Sequence, residues 1–101
     1  MSYNICYNWI ATLIQKVDRK QCPISITEHC WERTRRRKIC DANIAVYTVR
    51  HGKIAQMKST YPNRICFIYH EGKSNTTYET IGEFGKHCIE VVTIWKSKGK
   101  N

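Results

Sequence analysis

The spacing of apolar residues changes at Gly52, and this change limits the folds that the chain can adopt. Between residues 4 and 51 apolar side chains recur every three or four positions, which is the period of an amphipathic helix. Between residues 53 and 96 they alternate with polar side chains and are rich in β-branched types, as in strands. Helices followed by strands are typical of α+β domains. We therefore predict N-terminal helices packed on one face of an antiparallel sheet of about four strands.

Local signals give the limits of three helices before Gly52. Thr27 and Asp41 have side chains suited to N-caps, and Gly52 is suited to a C-terminal cap. A short extended segment, residues 24–26, separates the first two helices. The predicted helices cover residues 4–17, 27–38 and 42–51.

Turn residues divide the second half into strands. The predicted strands cover residues 53–59, 64–70, 76–84 and 87–96. A chain of 101 residues is long enough for one hydrophobic core. We therefore predict a single domain, residues 1–101, that ends in a basic tail at residues 97–101.

The charge of the chain favours a polyanionic partner. Seventeen lysines and arginines oppose eight acidic residues, which gives a formal net charge of +9. Such a field attracts phosphate, so nucleic acid is the predicted partner, and an acidic protein is the alternative. Part of the excess lies near the C-terminus, in Lys96, Lys98 and Lys100.

The sequence predicts a cytoplasmic protein with no membrane partner. Its N-terminal residues lack a basic leader, and no stretch approaches the roughly 20 apolar residues of a membrane span. The six cysteines contain no CxxC pair, so we predict reduced thiols, with disulfides as an alternative. No metal or cofactor is expected. The alternative is a zinc site with the ligands Cys22, His29, Cys30 and Cys40.

Residues 26–39 contain the clearest functional pattern. His29, Arg33 and Arg37 are spaced by four, so they share one face of the second predicted helix. Arginine binds two phosphate oxygens at once, and histidine can transfer a proton near neutral pH. This face therefore predicts a phosphate site, although a charged face that only contacts water has the same spacing. Trp31 and Ile39 are predicted to lie on the buried side.

This segment, ITEHCWERTRRRKI, resembles the signature of the domain of unknown function family 4258, a group of small prokaryotic proteins. The resemblance covers residues 10–96 and includes a closing strand similar to VVTIW. Cys30 stands where the family has Ala, and Lys38 where it has Gly. The positions that match the signature are Thr27, His29, Arg33, Arg37 and Ile39.

The family's layout is similar to that of RelE-like toxins of toxin–antitoxin systems, many of which cut messenger RNA. The resemblance thus implies an endoribonuclease, a hydrolase that needs no metal, with a protein antitoxin as partner. The predicted catalytic residues are His29, Arg33 and Arg37. The predicted nucleic-acid-binding residues are Arg36, Arg64, Thr93 and Trp95.

Two alternatives remain open at this point. Three other histidines, His51, His70 and His87, could take the place of His29 in proton transfer. The second alternative is a module that binds RNA, DNA or an acidic partner without catalysis, because the same basic face would serve it.

Overall fold

The computed structural model describes residues 2–36 and 43–99, and for residues 2–8 it describes the backbone alone. Within these ranges, three helices come first and most of the sheet follows, so the predicted α+β class is confirmed. The helices are α1 (Ser2–Lys16), α2 (Glu28–Arg36) and α3 (Asn43–His51). The strands are β1 (Ile24–Ile26), β2 (Lys53–Ile54), β3 (Arg64–Glu71), β4 (Thr76–Phe84) and β5 (Ile89–Lys98).

The start of α2 agrees with its predicted cap. The Cys30 backbone N–H donates to Thr27 Oγ1 at 3.1 Å, which satisfies one of the free amides at the helix start. The predicted end of this helix, near residue 38, and the predicted cap Asp41 lie outside the described residues.

The sheet has five strands rather than about four, and it is mixed rather than antiparallel. Its order is β1-β5-β4-β3-β2. β1, which we had predicted only as an extended segment, pairs in parallel with β5 through Ile24–Ile89 and Ile26–Val91. The other pairs are antiparallel. The prediction missed β1 because its partner lies more than sixty positions away, beyond the reach of local patterns.

The predicted strand at residues 53–59 is wrong beyond Ile54. β2 stops there and a 3₁₀ turn, Gln56–Lys58, follows. The Ser59 hydroxyl donates to the Ala55 carbonyl at 2.9 Å and accepts from the Cys66 amide at 3.0 Å. The Ser59 side chain thus makes hydrogen bonds with backbone groups that a longer strand would have paired with its own backbone. Serine side chains commonly compete with regular secondary structure in this way.

The core lies between the helices and one face of the sheet. Side chains from all three helices meet strand residues there, among them Ile10 of α1, Cys30 of α2 and Val49 of α3. The strand residues of this core are Ile65, Phe67, Phe84, Ile89, Val91 and Ile94. The opposite face, here called the open face, consists of the alternate residues of each strand. Two of its cross-strand rows are Cys66–Ile81–Thr93 and Ile68–Glu79–Trp95.

Two arginines hold the loop after α1 against α3. Arg19 donates to the carbonyls of Val49 and Gly52, at 3.2 and 2.7 Å, and its guanidinium lies 5.3 Å from the centroid of the Phe67 ring. Arg50 donates in the other direction, to the carbonyls of Arg19 and Cys22, both at 3.2 Å. Burial lowers the pKa of Arg19. These two cations therefore serve the fold.

Candidate nucleic-acid interface

α2 is positioned by contacts at its start and along one face. The Thr27 amide donates to the Val91 carbonyl at 3.1 Å, which ties the helix start to β5. Cys30 and Thr34, one turn apart, are buried, and the Thr34 hydroxyl donates to the Cys30 carbonyl at 2.8 Å. This narrow apolar face is packed on the sheet, so the remaining positions of α2 project towards solvent.

The exposed side of α2 carries a group of cations, here called the arginine surface: Arg33, Arg35 and Arg36, together with His29. The described part of the chain contains two ion pairs, Lys58–Glu79 and Arg64–Glu83, and neither involves α2. Cations in the last turn of a helix also interact favourably with its dipole, which would be their role without a ligand.

The predicted site residues on α2 agree with this surface in part. His29 and Arg33 are both exposed and lie one turn apart, as their spacing requires. Arg36 is exposed at the end of the helix. Arg37, the third member of the predicted catalytic group, lies outside the described residues. Trp31, assigned to the buried side in the sequence, is 49% exposed instead.

The predicted residues from the strands are on the open face. Arg64 forms an ion pair with Glu83, with 3.0 Å between Nε and Oε2, so the Glu83 carboxylate balances its charge. Thr93 is half-buried and Trp95 is 51% exposed. Since α2 packs against the helix-covered face, the structure places these three residues and the arginine surface on different faces of the sheet.

Trp95 lies beside a shallow cavity of about 500 Å³ on the open face. The Lys58–Glu79 ion pair, with 2.8 Å between Nζ and Oε1, lies in its lining. Cys66 lines it too, and burial, followed by the charge of Glu79, raises the pKa of this thiol to about 11. The thiol is therefore protonated at neutral pH and is a poor nucleophile.

A second cleft contains residues that the sequence suggested only as alternatives. It has a volume of about 360 Å³ and lies where the end of α3 meets the edge of β3. Two histidines, His51 and His70, and one lysine, Lys53, line it. The rest of its described lining consists of Gly52, Ile68, Tyr69 and Thr77. We call it the histidine cleft.

Aromatic rings and one amide position the side chains of the histidine cleft. The Tyr47 ring lies 4.7 Å from the ring of His51 and 4.9 Å from that of Tyr69, centroid to centroid. His70 Nε2 lies 3.0 Å from Asn75 Oδ1. An amide oxygen accepts, so Nε2 donates and Nδ1 is left for another partner.

Tyr69 remains a neutral phenol in this environment. Desolvation is the main cause that raises the pKa of Tyr69, and the neighbouring Tyr47 and Glu71 raise it further. Its hydroxyl can therefore donate a hydrogen bond at neutral pH.

The sequence signal for the histidine cleft was weak. His51, Gly52 and Lys53 are adjacent in the chain, but His70 joins them only through the pairing of Lys53 with Ile68. That register follows from the packing of β2 on β3, so no local sequence motif predicts it. His87, the third alternative, is exposed in the connection between β4 and β5, far along the chain from both.

The described thiols and acidic groups form no metal centre. Cys22, Cys66 and Cys88 are free thiols, and the side chains of Cys6 and Cys40 lie outside the description. Among the residues that the structure describes, no group of three or more histidine, cysteine, aspartate or glutamate side chains could hold an ion. Within the same residues no helix is long and apolar enough to cross a membrane.

Comparisons with protein-family models, with curated proteins and with solved structures found no match to this chain. The resemblance to the domain of unknown function family 4258 therefore stays a prediction.

Proposed function

We propose that this protein binds RNA through the arginine surface of α2. The observation that carries the proposal is the exposure of Arg33, Arg35 and Arg36 without an ion-pair partner among the described residues. Two glutamates, Glu28 and Glu32, are also exposed on α2, and Glu32 lies beside Arg35 and Arg36, so the helix carries three arginines against two acids. Guanidinium groups bind phosphate through paired hydrogen bonds.

Single-stranded RNA suits this surface better than a duplex. Trp31 is 49% exposed and lies one turn before Arg35 on the same helix. Exposed aromatic rings next to arginines stack unpaired bases, whose faces are hidden inside a duplex. The proposal thus combines an exposed ring that can stack on a base with arginines that can donate hydrogen bonds to phosphate, in a protein of the cytoplasm.

The more specific form of the proposal is an endoribonuclease of toxin type with a protein antitoxin as partner. RNA cleavage can use the substrate's own 2′-hydroxyl as nucleophile, so it requires proton transfer and charge stabilisation rather than a metal. His29 would transfer the proton, and Arg33, with Arg37, would stabilise the phosphate. The support is the resemblance of this segment to the family signature, together with the exposure of His29 and Arg33.

One observation favours binding without catalysis. Within the described residues, His29 has no hydrogen bond or ion pair that would orient its ring. Catalytic histidines are commonly oriented by a second group. A binding module is therefore the second candidate function.

A binding assay at several salt concentrations tests the RNA proposal. If about 4–6 phosphates are contacted, log Kd for a short fluorescent single-stranded RNA should change with log salt by a slope of about 3–4. The triple variant Arg33→Gln, Arg35→Gln, Arg36→Gln should lower that slope by about 2 and weaken binding at least about tenfold.

The matched control removes three positive charges elsewhere. Lys16, Lys20 and Lys73 are all exposed outside α2, and their triple Gln variant has the same net charge as the arginine variant. It should keep a slope close to that of the wild type. Equal weakening in both variants would show that net charge, rather than the arginine surface, drives binding.

Cleavage assays separate the two candidate functions. If the protein is an endoribonuclease, His29→Ala should lower the cleavage rate by about 10²–10⁴ and leave RNA affinity nearly unchanged. His87→Ala, at another exposed histidine, is the control and should cleave normally. Thermal melts of both variants exclude unfolding as the cause. Wild-type protein that binds RNA but does not cut it would establish the binding module instead.

A further inference from the structure

The open face is the side of the sheet that the described helices leave uncovered. All three helices contribute side chains to the core on the opposite face. On the open face, Trp95 is 51% exposed, and Ile68 of its own row and Ile81 of the neighbouring row are partly exposed. Aromatic side chains are enriched at the centres of protein interfaces, where they supply much of the binding energy. The open face is therefore a candidate interface.

The cavity beside Trp95 can receive part of another molecule. It has a volume of about 500 Å³, and Ile81 and Cys66 line it together with Trp95. A cavity of this size can admit an aromatic side chain of a second molecule, which a flat sheet surface could only contact from above.

The charge of the open face differs from that of the chain as a whole. Strand register, together with the ion pair of Lys58, gives this face three basic and three acidic residues: Lys53, Lys58, Arg64, Glu79, Glu83 and Glu90. Even with Lys96, which lines the cavity from the end of β5, the excess on this face is one positive charge. The net charge of +9 therefore belongs mainly to the other surfaces, over which two copies repel each other.

Two of these charges, Glu90 and Lys53, have no ion-pair partner in the described part of the chain. Both side chains are exposed, and the strand order places Glu90 on β5 and Lys53 on β2, at opposite sides of the face. Glu90 lies in the row of Glu83, and Lys53 lies in the row of Trp95. The row between them contains Ile81. A positive and a negative charge thus lie on either side of an apolar centre.

We infer that two copies of this chain form a dimer through their open faces. In a two-fold interface each contact occurs twice, so Glu90 of each copy can meet Lys53 of the other, with the Trp95 and Ile81 side chains between them. Two sheets that pack face to face bury side chains in this way in many β-proteins. The inference does not depend on RNA binding, since both arginine surfaces remain on the outer, helical sides of the dimer.

Analytical ultracentrifugation of the full chain over a range of concentrations tests the inference. The protein is first freed of nucleic acid, because RNA bound to α2 could join two copies. The wild type should change from monomer to dimer at micromolar concentrations. A chain that stays monomeric up to the highest soluble concentration would overturn the inference and leave the open face to a different partner.

Two equally exposed tryptophans provide a matched pair of variants. Trp95 is 51% exposed on the open face, and Trp31 is 49% exposed on α2. Trp95→Ala should weaken dimerisation at least about tenfold, whereas Trp31→Ala should leave it unchanged. Thermal melts show whether both variants are folded. Equal weakening by the two variants, or weakening by Trp31→Ala alone, would contradict an interface on the open face.

Charge reversal tests the contact between Glu90 and Lys53. Glu90→Lys should weaken dimerisation at least about tenfold, because it places two lysines opposite each other at both ends of the interface. Glu28→Lys, at an exposed glutamate of α2, gives the same net charge and should dimerise as the wild type does. Adding Lys53→Glu to Glu90→Lys should restore the dimer, because the pair is then reversed but complete. Equal weakening by Glu90→Lys and Glu28→Lys, or no recovery in the double variant, would contradict the proposed contact.

Discussion

Cys66 and Cys88 are identical side chains that the fold places in different surroundings. Cys66 lies on the open face of β3, is 2% exposed, and has its sulfur 3.9 Å from Glu79 Oε1. Cys88 is exposed just before β5. Desolvation and the adjacent carboxylate both oppose a thiolate at Cys66, and Lys58 opposes them only in part.

We predict that Cys66 makes stability depend on pH in the alkaline range. Its pKa is about 11 in the folded chain against an ordinary value of 9.0, so the unfolded chain loses this proton first. The stabilising effect is complete below pH 9 and is lost as the pH rises towards 11. Urea denaturation at several pH values should show a steeper alkaline loss of stability in the wild type than in Cys66→Ala. Parallel curves for the two proteins would contradict the prediction.

At the level of the elements, the contact between α3 and β3 depends on Gly52. Its position directly after α3 was predicted, but its role was not, because Gly52 does not take the positive φ of a left-handed C-cap. The requirement is steric instead. A Cβ at this position would lie 2.5 Å from the Thr48 carbonyl oxygen and 2.9 Å from that of Ile68. Backbone atoms on both sides leave the methyl group no space.

We predict that Gly52→Ala lowers the free energy of unfolding by about 2 kcal/mol or more, because α3 must move away from β3. The control is Gly72→Ala, where a Cβ would meet nothing within 4 Å, and its effect should stay within about 0.5 kcal/mol. Chemical denaturation measures both. Similar stabilities for the two variants would show that the contact between α3 and β3 adjusts without cost.

The same region shows how cations serve the fold rather than a ligand. Arg19 and Arg50 donate to backbone carbonyls across the loop that follows α1. One further acceptor, the Val49 carbonyl, is in the last turn of α3, where the helix leaves carbonyls open. An argument from net charge alone would have included Arg19 and Arg50 among the cations available to phosphate. Hydrogen-bond partners distinguish them from the arginines of α2.

For the whole molecule, the main result is the distribution of charge over the two faces of the sheet. Both described ion pairs, Lys58–Glu79 and Arg64–Glu83, involve a glutamate of β4 on the open face. The arginine surface lies on the helical layer, and the histidine cleft lies at the β2 side of the sheet. The residues that the sequence assigned to one polyanion site therefore lie on separate surfaces of the protein.

Much of the local structure could be predicted from the sequence because it depends on neighbours in the chain. The helical period, the Thr27 cap and the β-branched run of β5 are set by residues within a few positions of one another. For the same reason the common exposure of His29 and Arg33 followed from their spacing. The strand at residues 76–84 was predicted with its observed limits.

The remaining features depend on residues that are distant in the sequence. The parallel pairing of β1 with β5, the position of Trp95 on the open face and the meeting of His51 with His70 each follow from strand register. Register is determined by which apolar faces can be buried together, and this is a property of the packed core. The sequence therefore indicated which side chains could bind phosphate, and the packing of the helices on the sheet determined which of them share a surface.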